Sequence, residues 1–143
     1  MAIDLSLYLQ SEVSAGELIA ECRKALQASP AREHTPEVSE ARVDAERNQV
    51  LREAYNLTAT KGLQFRLDSS GDLDPQMHAV LGASLRVLAR FPGDAVLIYN
   101  GDVAYFLRRK GTLVLNSRDG MWGPERLALV HGDSVREDLV DLL

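Results

Sequence analysis

Cysteine is scarce in this sequence, since Cys22 is the single thiol of the chain. One thiol cannot form an internal disulfide, and it cannot supply a zinc site built from cysteines. Cys22 falls among the apolar positions of a predicted helix, so we interpret it as a small buried side chain and not as a reactive group. The fold is therefore expected to form without a disulfide.

Long apolar runs are also absent. No run approaches the roughly 20 residues that a bilayer-spanning helix requires. The first ten residues carry an acid, Asp4, and no basic cluster, which argues against a secretory signal. We therefore expect a cytoplasmic protein that has no membrane partner.

The chain has no excess of positive charge. It contains 16 Lys and Arg residues against 21 Asp and Glu, a net charge of −5, whereas nucleic-acid binding needs a basic surface. We therefore expect no nucleic-acid partner, although the acidity is compatible with a basic protein partner. The length of 143 residues and the 45% hydrophobic content predict one globular domain over residues 1–143.

Signatures of catalysis and cofactor binding are missing too. The chain has no G-x-S-x-G, P-loop or G-x-G-x-x-G motif. The three histidines, His34, His78 and His131, have no second ligand at metal-binding spacing. The acids within Asp68–Asp74 lack the rest of a calcium loop and are interpreted as turn and cap residues. We predict no enzyme activity, no catalytic residue, no cofactor and no metal.

The clearest pattern that is present lies in Asp94–Asn116. Asn100-Gly101 is typical of a type I′ hairpin turn, and the stretch Arg109–Gly111 favours a hairpin with a bulge or a three-residue loop. Around these breaks stand three apolar runs: Ala95–Tyr99, Val103–Leu107 and Thr112–Leu115. The pattern predicts a three-strand antiparallel meander.

Periodicity predicts two more strands and two main helices. Residues Ile3–Leu9 and Leu63–Asp68 alternate between apolar and polar side chains, as half-buried strands do. One helix follows the capping box at Ser14–Glu17 and ends before Pro30. The other is predicted to start with Asp74 as its N-cap and Pro75 in its first turn.

Residues 36–57 allow two interpretations. The first is a single helix over Pro36–Leu57. The second is a short strand over Val38–Ala45 followed by a helix over about Arg47–Tyr55. The alternation of apolar residues in the first half favours the second interpretation. Both stay open at this point.

The end of the chain is predicted to be helical. Pro124 indicates a short helix over Glu125–His131, and a second capping-box pattern at Ser134–Glu137 predicts a C-terminal helix. The predicted fold class is thus α+β. It has an antiparallel sheet of four to six strands, two main helices packed on one face, and a C-terminal three-strand meander.

Charge and aromatic residues indicate a partner-binding surface in the last third of the chain. Residues 86–118 hold six basic side chains against two acids, and residues 119–143 hold six acids against two basic side chains. Aromatic and Arg side chains often anchor interfaces. The residues predicted to bind a partner are Asp102, Tyr105, Arg108, Asp119 and Trp122.

Strand alternation predicts that both faces of the meander are partly apolar. It places Val103, Tyr105 and Leu107 on one side of the middle strand, and the set Ala104, Phe106 and Arg108 on the other. One face is expected to lie under the helices. The other is left for a loop, the chain terminus or a partner.

The order of these motifs resembles the SitI immunity proteins, the partners of contact-dependent swarm-inhibition toxins in myxobacteria. The resemblance runs from Ile3 to about Leu129. It is carried by the stretches I-D-L-S-L-Y-L, G-L-Q-F-R-L-D, G-D-A-V-L-I-Y-N-G-D, L-R-R-K-G-T-L-V-L-N and W-G-P-E-R-L. It implies a cytoplasmic protein that binds a cognate toxin domain and blocks it without catalysis, and it implies no particular functional residue.

A second hypothesis comes from the residues alone. The chain could be a small-ligand-binding or accessory domain that self-associates through its second sheet face. Under the two hypotheses together, the free protein is expected to be a monomer or a homodimer.

Overall fold

Strands and helices are mixed along the chain, which confirms the α+β class. The structure is a computed structural model, and it describes residues 3–28 and 34–142. The strands are β1 (Ile3–Leu9), β2 (Glu37–Glu40), β3 (Lys61–Leu67), β4 (Ala95–Tyr99), β5 (Val103–Arg109), β6 (Thr112–Asn116) and β7 (Ser134–Glu137). The helices are α1 (Ala15–Gln27), α2 (Ala45–Tyr55), α3 (Leu73–Arg90) and α4 (Pro124–Leu127). Pro30, predicted to follow the first helix, lies outside the described residues.

The strands form one open sheet in the order β2-β3-β1-β4-β5-β6-β7. Every neighbouring pair is antiparallel except β6 and β7, which run parallel. The β4-β5-β6 meander is confirmed. The sheet has seven strands instead of four to six, because a strand, β7, forms where a helix was predicted.

The first face of the sheet, which we define as the face under α1 and α3, holds the larger core. The alternating apolar residues of β1 and β3 point into it, as predicted, and the two main helices pack on it. Glu21 of α1 is 5% exposed and forms ion pairs with Arg86 and Arg90 of α3, each with an N–O distance of 3.0 Å. Cys22 is buried beside it, and burial raises the pKa of its thiol to about 12.

Both main helices begin at side-chain caps. The Ser14 Oγ accepts a hydrogen bond from the Glu17 amide at 3.2 Å, as the capping box predicts. The N-cap of α3 is Asp72 and not Asp74, because the Asp72 carboxylate accepts from the Asp74 amide at 3.3 Å. Pro75 fits two positions further into the helix than predicted, since the first amides of a helix have no partner within it.

The region of residues 36–57 is a strand followed by a helix. Strand β2 is shorter than the predicted Val38–Ala45, and α2 starts two residues before the predicted Arg47. The Asp44 carboxylate caps α2 by accepting from the Arg47 amide at 2.8 Å. The single helix over Pro36–Leu57 is therefore wrong, because Asp44 starts a new helix that packs on the opposite face of the sheet from β2's buried Val38.

The second face of the sheet is covered by α2 and by residues 138–142, which follow β7 and which we call the C-terminal segment. Leu51 and Tyr55 of α2 and Leu139 of the C-terminal segment pack on apolar side chains of β1, β4, β5 and β6. The Tyr55 hydroxyl donates to the Val140 carbonyl, and the Leu142 amide donates to the Asp102 carbonyl at 2.8 Å. Of the three expected covers, the chain terminus is thus present, together with a helix.

The chain after the meander differs from the prediction. Helix α4 is shorter than the predicted Glu125–His131. The predicted C-terminal helix is wrong: Ser134–Glu137 pairs with β6, and Val114 lies opposite Val135. Without β7, the outer edge of β6 would leave backbone N–H and C=O groups unpaired. Residues 134–137 can form hydrogen bonds with these groups as a strand, whereas an isolated helical turn would leave them unpaired and is itself unstable.

Candidate functional site

A β-bulge in β5 determines which of its side chains reach each face. Leu97 of β4 pairs with Phe106, but Ile98 pairs with Ala104, so Tyr105 is an extra residue. Tyr105 and Phe106 therefore both pack on the first face, while Leu107 joins the second-face core. The predicted strict alternation along this strand is wrong from this point onward.

The bulge builds an aromatic cluster at the first face. The ring centroids of Tyr99 and Tyr105 lie 6.1 Å apart, and Trp122 lies 6.5 Å from both Tyr105 and Phe106. The Trp122 indole N–H donates to the Tyr105 carbonyl at 2.8 Å. Trp122 itself is only 4% exposed, so it supports the cluster from beneath.

A guanidinium covers this cluster. The Arg126 guanidinium carbon lies 5.8 Å from the Tyr105 ring centroid, a cation–π distance, and its Nη1 donates to the Met121 carbonyl at 2.9 Å. Tyr99, Tyr105 and Arg126 are each half-buried. We call these three residues the tyrosine–arginine patch. Burial raises the pKa of Tyr105, so its hydroxyl is a neutral donor at physiological pH.

The predicted site residues are only partly brought together. Tyr105 and Trp122 are in contact. Asp102 lies in the β4–β5 turn, where its carbonyl holds the C-terminal segment, and Asp119 is exposed in the loop after β6. Of these four residues, Tyr105 and Trp122 thus lie in the aromatic cluster, Asp102 lies in a turn and Asp119 lies in a loop.

Arg108 has a structural position. Its guanidinium donates to the carbonyls of Leu88, Phe91 and Gly93 at the end of α3. Partial burial lowers the pKa of Arg108, and these carbonyls compensate for the lost water. Arg108 therefore joins α3 to the meander in this structure.

Arg126 was not among the predicted site residues. Helical spacing does not connect it to Trp122, because Trp122 precedes Gly123, the N-cap of α4. The bulge had no local signal, since Tyr105 continues an apolar run without a Gly or a charge.

A separate groove is lined by residues of α1 and α3. It has a volume of about 630 Å³ and faces β6 and residues 129–133. Its lining includes small residues such as Gly82 and Ala83, and it also includes His78, His131 and Asp133. Within residues 3–28 and 34–142, no group of three His, Cys, Asp or Glu residues could hold a metal ion. In the same residues, no helix is long and apolar enough to cross a bilayer.

Comparison with known proteins gives a match to a protein family. The model of the family described as SitI3-like matches residues 3–126, which is most of the chain and includes both Tyr105 and Arg126. Neither the curated proteins nor the solved structures gave a match to this chain.

Proposed function

The chain belongs to the SitI3-like family, and from this membership we propose that it is a cytoplasmic immunity protein that binds a cognate toxin domain. It neutralises the toxin by occlusion, without catalysis and without a cofactor. The family match is the observation that carries this proposal. The toxin's active site is covered by a stable complex, and release is slow.

The tyrosine–arginine patch is the proposed anchor of that complex. Tyr and Arg are the side chains most often found where binding energy concentrates, because each combines a large apolar surface with hydrogen-bond donors. Tyr105 is held in place by the bulge and by Trp122, so little conformational entropy is lost when it binds. Tyr99 and Arg126 complete a surface that is ordered before the partner arrives.

The remaining predicted residues take secondary positions in this proposal. Asp119 is exposed close in sequence to Trp122 and can contact a basic toxin residue at the rim of the interface. Asp102 is partly buried and contributes mainly by holding the C-terminal segment. Arg108 acts indirectly, because its donors are engaged with α3.

The free protein is proposed to be a monomer. Self-association through the second sheet face would require α2 or the C-terminal segment to leave it, since both pack on its apolar side chains. A homodimer through that face remains the alternative state to test.

The deciding experiment is co-expression with the product of the neighbouring gene. If this protein is an immunity protein, the neighbour is toxic alone, and co-expression restores growth and yields a complex that co-purifies. A harmless neighbour that does not co-purify contradicts the proposal.

A matched pair of arginine variants then tests the patch. Arg126 stacks on Tyr105 of the first face at 5.8 Å, and Arg47 stacks on Tyr8 of the second face at 5.6 Å. We expect Arg126→Ala to weaken toxin binding by about tenfold or more, and Arg47→Ala by less than about twofold. Calorimetric titration measures both. Equal losses would show that the patch is not the anchor.

The groove along α3 supports a second candidate function, binding of a small ligand. Its volume of about 630 Å³ lies in the range of small-molecule sites, and its lining contains both apolar and polar side chains. Native mass spectrometry of the purified protein tests it: a retained small molecule that Gly82→Leu displaces would favour this function.

A further inference from the structure

Strand β7 is an open edge of the sheet. It is the last strand in the sheet order, and among the described residues it has no strand neighbour on its outer side. The Ser117 amide donates to the Glu137 carbonyl at 2.8 Å, so Glu137 turns its backbone groups toward β6. Because backbone direction alternates along a strand, Ser134 and Arg136 turn theirs outward. An edge of this kind can accept another strand.

Exposed large apolar side chains fall in the part of the chain that contains β7. Among the described residues, the large hydrophobic side chains that are exposed are Leu127 at 37%, Val135 at 46% and Val140 at 57%. All three fall within the last 17 residues of the 143-residue chain. The opposite edge strand, β2, differs, since its single large apolar side chain, Val38, is 7% exposed and packs into the core.

The same region is acidic. Residues 133–141 contain four acids, Asp133, Glu137, Asp138 and Asp141, against Arg136 alone. Asp141 is paired with Arg118, and the Arg136 guanidinium donates to the Trp122 carbonyl at 2.8 Å. The other three acids are exposed, so the edge presents negative charge. The contact of Arg136 with Trp122 also makes this edge continuous with the tyrosine–arginine patch.

The β7 edge lies outside the residues that the family model matches. The match ends at residue 126, before β7 begins. Immunity requires discrimination between the cognate toxin and others, and this discrimination is a difference between two binding affinities. An exposed, acidic edge strand can contribute to that difference, because it favours a basic segment over an acidic one.

We propose that β7 binds an extended, basic segment of the cognate toxin by strand addition, an inference that rests on the proposed immunity function. The outward backbone groups of Ser134 and Arg136 would pair with the added strand, and Val135 would pack against its apolar side chains. Lys or Arg residues of the segment would face the acids. A second copy of this chain is a poorer occupant, because it would bring the same acids to the contact.

Two charge-reversal variants test the proposal with equal changes in net charge. Glu137→Lys with Asp138→Lys alters the β7 edge, and Glu37→Lys with Glu40→Lys alters the β2 edge. We expect the β7 pair to weaken toxin binding by at least about tenfold and the β2 pair by less than about twofold. Thermal unfolding of each variant checks that the fold is kept.

Amide hydrogen exchange tests the backbone pairing directly in the wild-type protein. The complex should slow exchange of the outward Arg136 amide by at least about tenfold relative to the Val135 amide, which already faces β6. Equal affinities of the two charge variants together with an unprotected Arg136 amide would overturn strand addition. So would a wild-type homodimer that the β7 pair dissociates.

The two proposals fail in different ways. If the wild-type protein forms no complex with the neighbouring toxin, the immunity function is overturned and this inference falls with it. If the wild-type complex forms but neither β7 measurement responds, the immunity function stands and β7 is not its docking strand.

Discussion

At the scale of single residues, Glu21 shows how one buried charge joins two helices. Its two carboxylate oxygens each accept from a different arginine of α3, Arg86 and Arg90, at 3.0 Å. The hydrogen bond from Arg86 is the main reason why the pKa of Glu21 lies below its usual value of 4.5, and burial opposes the shift only in part. The ionised form is therefore the form that the fold favours.

We expect Glu21→Gln to lower the melting temperature by several degrees at pH 7. A lowered folded-state pKa means that the stabilisation is present above pH 4.5 and is lost as the pH falls through the folded-state value. The difference in melting temperature between wild type and Glu21→Gln should therefore shrink as the pH falls below 4.5.

Scanning calorimetry between pH 3 and pH 7 measures this difference, with Glu53→Gln in the exposed face of α2 as the control. A gap that stays constant over this range would show that the Glu21 charge does not carry the effect.

At the scale of elements, glycine is required for different reasons in a hairpin turn and at the end of the β1–β4 strand pair. Gly101 has φ +80° in the β4–β5 turn, and an added Cβ would meet no atom within 4 Å. Gly93 has φ +122°, and an added Cβ would lie 2.0 Å from the Gln10 carbonyl oxygen. There the chain entering β4 lies beside the end of β1, its antiparallel neighbour, and the Gln10 amide donates to the Asp94 carbonyl at 2.8 Å.

We expect Gly101→Ala to cost about 1 kcal/mol of unfolding free energy, because only the left-handed backbone is strained. Gly93→Ala should cost clearly more, since the two chain segments at the end of the β1–β4 pair must also move apart. Urea unfolding of both variants compares them. Equal costs would mean that the backbone around Gly93 and Gln10 can relax and that their close approach contributes nothing to the cost.

The β4–β5 turn is as predicted, and the β5–β6 turn differs from the prediction. Asn100 and Gly101 both have positive φ, as a type I′ turn requires. Lys110 and Gly111 do as well, and Arg109 pairs with Thr112, so the second turn is a two-residue turn and not the predicted longer loop. A lysine in this conformation is uncommon, and the local pattern alone favoured the looser turn.

At the scale of the whole molecule, the C-terminal segment closes the second face. Leu139 is buried in the second-face core, and Tyr55 donates to the Val140 carbonyl across it. Burial, with a smaller contribution from Asp141, raises the pKa of Tyr55 to about 12. Two parts of the chain that are 85 residues apart thus meet at this point.

We expect removal of residues 138–143 to lower the unfolding free energy by about 2 kcal/mol or more, because the burial of Leu139 is lost. The uncovered face should also promote self-association, seen as a larger mass by light scattering. Val140→Ala, at a residue 57% exposed, is the control and should do neither. A shortened chain that stays monomeric and equally stable would show that α2 alone closes this face.

The contact between Tyr55 and the C-terminal segment also makes the stability of the protein fall at alkaline pH. The folded-state pKa of Tyr55 is raised from 10 to about 12. The neutral Tyr55 hydroxyl therefore contributes to the free energy of unfolding below pH 10, and this contribution is lost as the pH rises toward 12. Ultraviolet titration of wild type against Tyr55→Phe isolates this group, and the shortened chain should return its pKa toward 10.

The sequence by itself determined the elements whose signals are local. The alternation in β1 and β3, the Ser14 cap, the amphipathic α3 and the Asn100-Gly101 turn depend on neighbours within a few residues, so they could be predicted. The α+β class and the family resemblance followed from the order of these elements. Asp102, Asp119 and Trp122 were chosen by side-chain type, and that choice stays a prediction.

The tertiary structure alone decided the features that depend on contacts between segments far apart in sequence. Ser134–Glu137 has a capping-box pattern, but the free edge of β6 makes it a strand. The bulge at Tyr105 and the position of Arg126 over its ring arise from packing between β4, β5 and α4. Such choices depend on contacts between residues far apart in sequence, which no local pattern contains.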